Sequence, residues 1–114
     1  MKDDFVYLRH ILDAIACIQD FLKETDHETF MNNRMHQDSI MRELAVIGEA
    51  ASKISDTFRK QNSRIPFEHM IGLRHRLIHG YIDVDLSIVW QTSTEDLKPL
   101  KDMIETTLEN YVQP

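Results

Sequence analysis

Apolar residues fall along this chain in four stripes with helical spacing. Phe5, Leu8, Ile11, Leu12, Ile15, Ile18 and Leu22 recur at steps of three and four, which places them on one face of a helix. Asp3 or Asp4 is positioned to cap that helix. The rhythm weakens after Phe21, and Thr25-Asp26-His27-Glu28 reads as a turn into a short irregular or helical piece ending near Met31. The strongest period follows: Ile40, Leu44, Ile47, Ala51, Ile54 and Phe58 predict one long helix that starts at or a few residues before Asp38 and ends before Asn62-Ser63 and Pro66. Pro66 suits the first turn of a third helix, with Met70, Leu73 and Leu77 inward and Gly80 as a left-handed stop. After a loop, Asp83 or Asp85 is placed to cap a last helix carrying Leu86, Val89, Trp90, Leu97, Leu100, Ile104, Leu108 and Tyr111. Pro99 interrupts that run and predicts a kink or break between Glu95 and Lys98.

Four amphipathic helices with short connections predict an all-α, antiparallel bundle of four to five helices, in a single domain spanning residues 1–114. With only three Gly and three Pro, the chain lacks the punctuation that many short strands need. No apolar run approaches the roughly 18 residues of a membrane span, and Met1-Lys2-Asp3-Asp4 does not begin a secretory signal, so a cytoplasmic protein is expected. Cys17 is the only cysteine, which excludes an internal disulfide and a cysteine zinc site; its apolar surroundings suggest a small buried residue. Gly48 stands inside the strongest helical stripe, where it costs about 1 kcal/mol relative to Ala. Close approach of another helix is the expected reason.

Charge changes the picture. The chain carries −6, yet between residues 59 and 79 five basic residues (Arg59, Lys60, Arg64, Arg74, Arg76) meet one acid, Glu68, giving that stretch +4. His69, His75 and His79 lie in the same stretch. A local positive patch on an acidic body suits a polyanion while keeping non-specific binding weak; a solvated charge cluster fits the same counts.

Candidate chemistry concentrates where the third helix ends, at Arg74-His75-Arg76-Leu77-Ile78-His79-Gly80-Tyr81. Arginine offers a permanently charged fork that matches a phosphate, and histidine both gives and takes protons near neutral pH. Together they are a minimal set for cutting RNA by attack of the ribose 2′-hydroxyl on its own phosphodiester, a reaction that brings its own nucleophile. No metal-ligand spacing is evident among the six His and nineteen acids, and no cofactor motif is present. Arg74 and His79 are five positions apart, about 140° around an ideal helix. They converge only if the helix loosens near Gly80 or a second protomer completes the site. A solvated basic helix end accounts for the same residues without any chemistry.

Arg74-X4-His79-X-Tyr81 resembles the R-X4-H-X-Y signature of HepT-like proteins, a branch of the HEPN superfamily of small helical ribonuclease domains. The likeness extends through Tyr7 to Leu12, through Ile47-Gly48-Glu49-Ala50, and through Ile65-Pro66-Phe67, Gly72-Leu73-Arg74 and His79 to Asp85, followed by Trp90. The resemblance implies a helical homodimer with composite clefts, and Arg74 and His79 as the catalytic pair of a metal-independent endoribonuclease. It also implies a toxin of a type VII-like toxin–antitoxin system, paired with an MNT-type nucleotidyltransferase antitoxin that silences it by attaching AMP to Tyr81. The position after the motif arginine is commonly Asn in that family and is His75 here. Beside the pair, Arg76 and Arg64 are candidates for positioning RNA phosphates, and Glu49 for contacting Arg74 or a histidine; each also reads as an ordinary surface residue. A non-catalytic helical partner or regulatory subunit of a nucleotidyltransferase is the competing reading.

Overall fold

The four stripes fold as four long helices joined by short ones, and no strand occurs among the described residues. A computed structural model describes residues 2–112, apart from the side chains of Tyr81 and Val112. The helices are α1 (Lys2–Leu22), α2 (His27–Asn32), α3 (Arg34–Ser52), α4 (Asp56–Gln61), α5 (Phe67–His79), α6 (Leu86–Gln91) and α7 (Leu97–Val112). A 3-10 turn (Tyr81–Asp83) links α5 to α6, and a π turn (Thr92–Asp96) joins α6 to α7. Among the described residues no helix is long and apolar enough to cross a membrane.

The central layer is α3, packed between α1 and α5. Its inward residues Ile40, Leu44, Ile47 and Ala51 are buried against Leu8, Ile11 and Ile15 of α1 and Met70, Leu73 and Leu77 of α5. From the last helices, Val89, Leu97, Leu100 and Ile104 complete the core.

The strongest stripe does not belong to one helix. The chain leaves the helix after Ser52 and restarts at Asp56, although Ile54 and Phe58 stay on the inward period, 1% exposed each. Asp4 explains the break. It lies in the first turn of α1, 3% exposed, and its carboxylate accepts from the Ser55 amide (2.7 Å) and hydroxyl (2.9 Å). A charge-assisted bond to Asp4 replaces the bond that the Ser55 amide would have made to a helix carbonyl. Ser55 Oγ then accepts from the Phe58 amide at 3.2 Å and caps α4. Ser55-Asp56 carries a helix-start signature that the apolar rhythm overrides on reading.

Other expectations fare differently. Gly80 ends α5 at φ −120°, outside the left-handed region, with its amide on the Arg76 carbonyl at 2.8 Å. Asp85 caps α6 by accepting from the Ser87 amide at 2.9 Å. The irregularity near Pro99 is present as the π turn over Thr92–Asp96, which overlaps the expected place at Glu95 and Asp96 and begins three residues before it; proline has no amide to donate to the Glu95 carbonyl, which loosens that register. Cys17 is exposed on α1, on the face turned away from the core.

The Asp4–Ser55 tie yields a stability prediction. Ser55→Ala removes both the α4 cap and a donor to a buried carboxylate, and should cost about 2 kcal/mol in chemical denaturation at unchanged m-value. Ser55→Thr retains the hydroxyl and should recover most of that loss. An unchanged midpoint in the alanine variant would remove the tie from the account of this break.

Candidate active site

Where α3 meets α5 the two helices touch at Gly48. A Cβ built there would lie 2.6 Å from the Met70 carbonyl oxygen and would overlap Arg74 Cβ. Only glycine allows the backbones this close. The expected close approach is therefore present, and its partner is the helix that carries the motif. The contact fixes the origin of the Arg74 side chain, which is half-buried along the α3-facing side of α5.

The opposite side of α5 presents His75, Arg76 and His79, all exposed. Four residues apart, His75 and His79 stand one turn above each other, with ring centroids 4.5 Å apart and planes inclined by 47°. Both rings line an open cavity of about 480 Å³ together with Arg76, Asp83, Asp85 and Gly80, on an apolar base that includes Leu77 and Val89. No hydrogen bond or ion pair among the described residues engages the side chains of Arg74, His75, Arg76 or His79. Their charge and ring nitrogens are thus free for a ligand.

The protomer brings together only part of the expected set. α5 stays helical through His79, so Arg74 does not line the cavity that holds His79. Arg64 lies before the N-terminus of α5, in a separate cavity with Asn62, Asp102 and Asn110, roughly 20 Å from His79 at 1.5 Å per residue. Glu49 is exposed beside Gly48 and makes no bond to Arg74 or a histidine. Tyr81 begins the 3-10 turn, and its side chain lies outside the described residues. Asp83 and Asp85 read from sequence only as helix caps, yet both line the histidine cavity. The described residues hold no group of three or more His, Cys, Asp or Glu side chains placed to share a metal ion.

Comparison with known proteins gives this arrangement a family. A model of the HepT-like ribonucleases matches residues 11–107, a span that contains Gly48, the α5 motif and the histidine cavity. The chain belongs to the HepT-like ribonuclease family. A relative in Methanocaldococcus jannaschii, named as a candidate RNase, is 34% identical over 104 residues, covering 91% of this chain and 95% of its own length. One in Thermococcus cleftensis, named as a candidate ribonuclease HepT, is 36% identical over 99 residues, covering 87% and 90%. A third, in Caldanaerobacter subterraneus, also named as a candidate RNase, is 29% identical across 96% of this chain and 97% of its own. No solved structure matches.

Two glycines test the helix contact. Gly48→Ala must push α5 and Arg74 away and should cost 2 kcal/mol or more, about the upper range for overpacking. Gly72 also lies mid-helix, but a Cβ there meets nothing within 4 Å, so Gly72→Ala should stabilise by about 0.5–1 kcal/mol. Thermal and urea unfolding of both variants would measure this. Equal effects would mean that the α3–α5 contact does not set the difference.

Proposed function

We propose that this HepT-like protein is a metal-independent endoribonuclease in which Arg74 stabilises phosphate charge and His79 moves a proton. The observation that carries the reading is the free His79 ring, set in an open cavity at the end of α5 within a chain of a ribonuclease family. The 2′-hydroxyl supplies the nucleophile, so the protein needs only to orient it, transfer protons and offset charge on the phosphate.

The separation of Arg74 from the His79 cavity favours a homodimer as the active form. Ile78, Ile82 and Ile88 flank the cavity at 48%, 94% and 51% exposure, apolar surface suited to a second copy. Apposing the two α5 ends would bring Arg74 of one copy toward His79 of the other. The same separation also supports a second reading, in which the protein is a non-catalytic partner of a nucleotidyltransferase and the two residues contact a nucleotide or the interface.

In the fuller form of the first reading the protein is the toxin of a HEPN/MNT-type pair in the cytoplasm, neutralised when a cognate nucleotidyltransferase attaches AMP to Tyr81. Tyr81 follows Gly80 directly after the motif helix, so an adduct there would add negative charge and bulk next to the α5 end. Arg76 in the cavity suits a contact that positions RNA, whereas Arg64 would meet only RNA that extends along α5.

Purified protein incubated with RNA in EDTA should release fragments with 2′,3′-cyclic phosphate ends, and light scattering should give twice 13.4 kDa. Arg74→Ala and His79→Ala should each lower the rate roughly 10²-fold or more while leaving the fold intact. Tyr81→Phe should keep cleavage yet resist neutralisation on co-expression with the nucleotidyltransferase. Wild-type rates in both alanine variants would remove these two residues from the mechanism, and absence of cleavage by the unaltered protein would transfer support to the non-catalytic reading.

A further inference from the structure

Two imidazoles, not one, face the cavity at the end of α5. RNA cleavage through the 2′-hydroxyl requires two proton transfers: one away from the attacking oxygen and one onto the departing oxygen. We propose that His75 and His79 share them as a general acid–base pair, which makes His75 a further catalytic residue. The proposal rests on the ribonuclease reading above.

The geometry supports a shared task. The rings are 4.5 Å apart on one face of the helix, so a single phosphodiester in the cavity lies within reach of both. Among the described residues neither ring makes a hydrogen bond or an ion pair, and His75 contributes nothing to the core, being exposed on the side away from α3. A cavity of about 480 Å³ is in the range that holds a small ligand or a nucleotide-sized segment. The charged groups lining it besides the imidazoles are Arg76 from α5, Asp83 from the 3-10 turn and Asp85 from the α6 cap, with one Asp85 oxygen already accepting from the Ser87 amide. Arg76 gives the scissile phosphate a local cation whether or not Arg74 arrives from a second copy.

In the step itself the O2′–P bond forms as the P–O5′ bond breaks. The neutral ring takes the 2′-hydroxyl proton, and the protonated ring delivers its own to the 5′-oxygen. The products are a 2′,3′-cyclic phosphate and a 5′-hydroxyl. The pair ends with its protonation states exchanged and resets through water, so no other reactant is needed. A neutral ring for one task and a protonated ring for the other produce a rate that rises and then falls with pH.

The test is steady-state cleavage of a short RNA across about pH 5 to 9 by wild-type protein, His75→Asn and His79→Asn, with far-UV circular dichroism to verify folding. The wild type should give a bell. Each variant should lose roughly 10²- to 10⁴-fold in kcat with a smaller change in KM, and each should lose the opposite limb of the bell. A uridine 3′-(4-nitrophenyl phosphate) substrate, whose leaving group needs no proton, should restore the rate in one variant only and so identify the acid. A wild-type rate and bell in His75→Asn would overturn the pair, as would loss of the same limb in both variants, or rescue in both or neither. Loss of activity in Arg74→Ala and His79→Ala beside an unaffected His75→Asn would sink this inference alone; absence of RNA cleavage by the wild-type protein would remove the ribonuclease reading beneath it.

Discussion

The contact between α3 and α5 at Gly48 is the constraint on which the rest of the site depends. Because a Cβ at that position would overlap Arg74 Cβ and crowd the Met70 carbonyl, the helices meet at van der Waals distance of their backbones. One face of α5 is thereby clamped, with Met70, Leu73 and Leu77 in the core and Arg74 along the seam. The helix period then turns His75, Arg76 and His79 to the free side. A glycine that weakens α3 as an isolated helix thus positions both the motif arginine and the histidine cavity on the neighbouring helix.

Electrostatics follows from the same placement. The +4 stretch between residues 59 and 79 does not form one patch. Arg59 is held by Asp56 at 2.9 Å and Glu68 at 3.0 Å, which ties α4 to the start of α5 and offsets its charge locally. Arg64 stands at the far end of α5 from His79. What remains at the motif end is Arg74, Arg76 and two histidines, with no hydrogen bond or ion pair to their side chains among the described residues and with two carboxylates lining the same cavity as the histidines. Under the proposed reading such a site would hold a phosphate by short-range charge and geometry, while the acidic remainder of the chain disfavours extended, sequence-blind binding to nucleic acid.

The helix ends that frame the cavity are held by ordinary local bonds. Gly80 closes α5 through its amide to the Arg76 carbonyl, the Asp83 amide bonds the Gly80 carbonyl at 3.0 Å, and Asp85 begins α6 two residues later. The chain therefore turns sharply just after His79, and the turn itself forms the wall opposite the imidazoles. Tight turning here explains why the cavity is open to solvent yet bounded on two sides by charged residues.

The apolar period by itself determined the helical class, the four long helices and most of the core, since burial of a stripe is the main force on each segment. Gly48 inside a strong stripe was enough to expect a close helix neighbour, and the motif from Arg74 to Tyr81, with the likeness along the rest of the chain, was enough to indicate the family. Only tertiary structure decided the rest. The break at Ser55 comes from a carboxylate 51 residues away in sequence, which no local pattern contains. Cys17 faces solvent because its apolar neighbours, not it, occupy the inward phase of α1. Gly48 and Gly72 look alike in sequence and differ because one meets another backbone and the other meets nothing. Likewise, the basic stretch placed Arg64, Arg74 and His79 in one candidate set and the expected close approach at Gly48 added Glu49, while helix rotation and length set them on different faces and ends; side chains converge according to packing, and packing is a property of the whole chain.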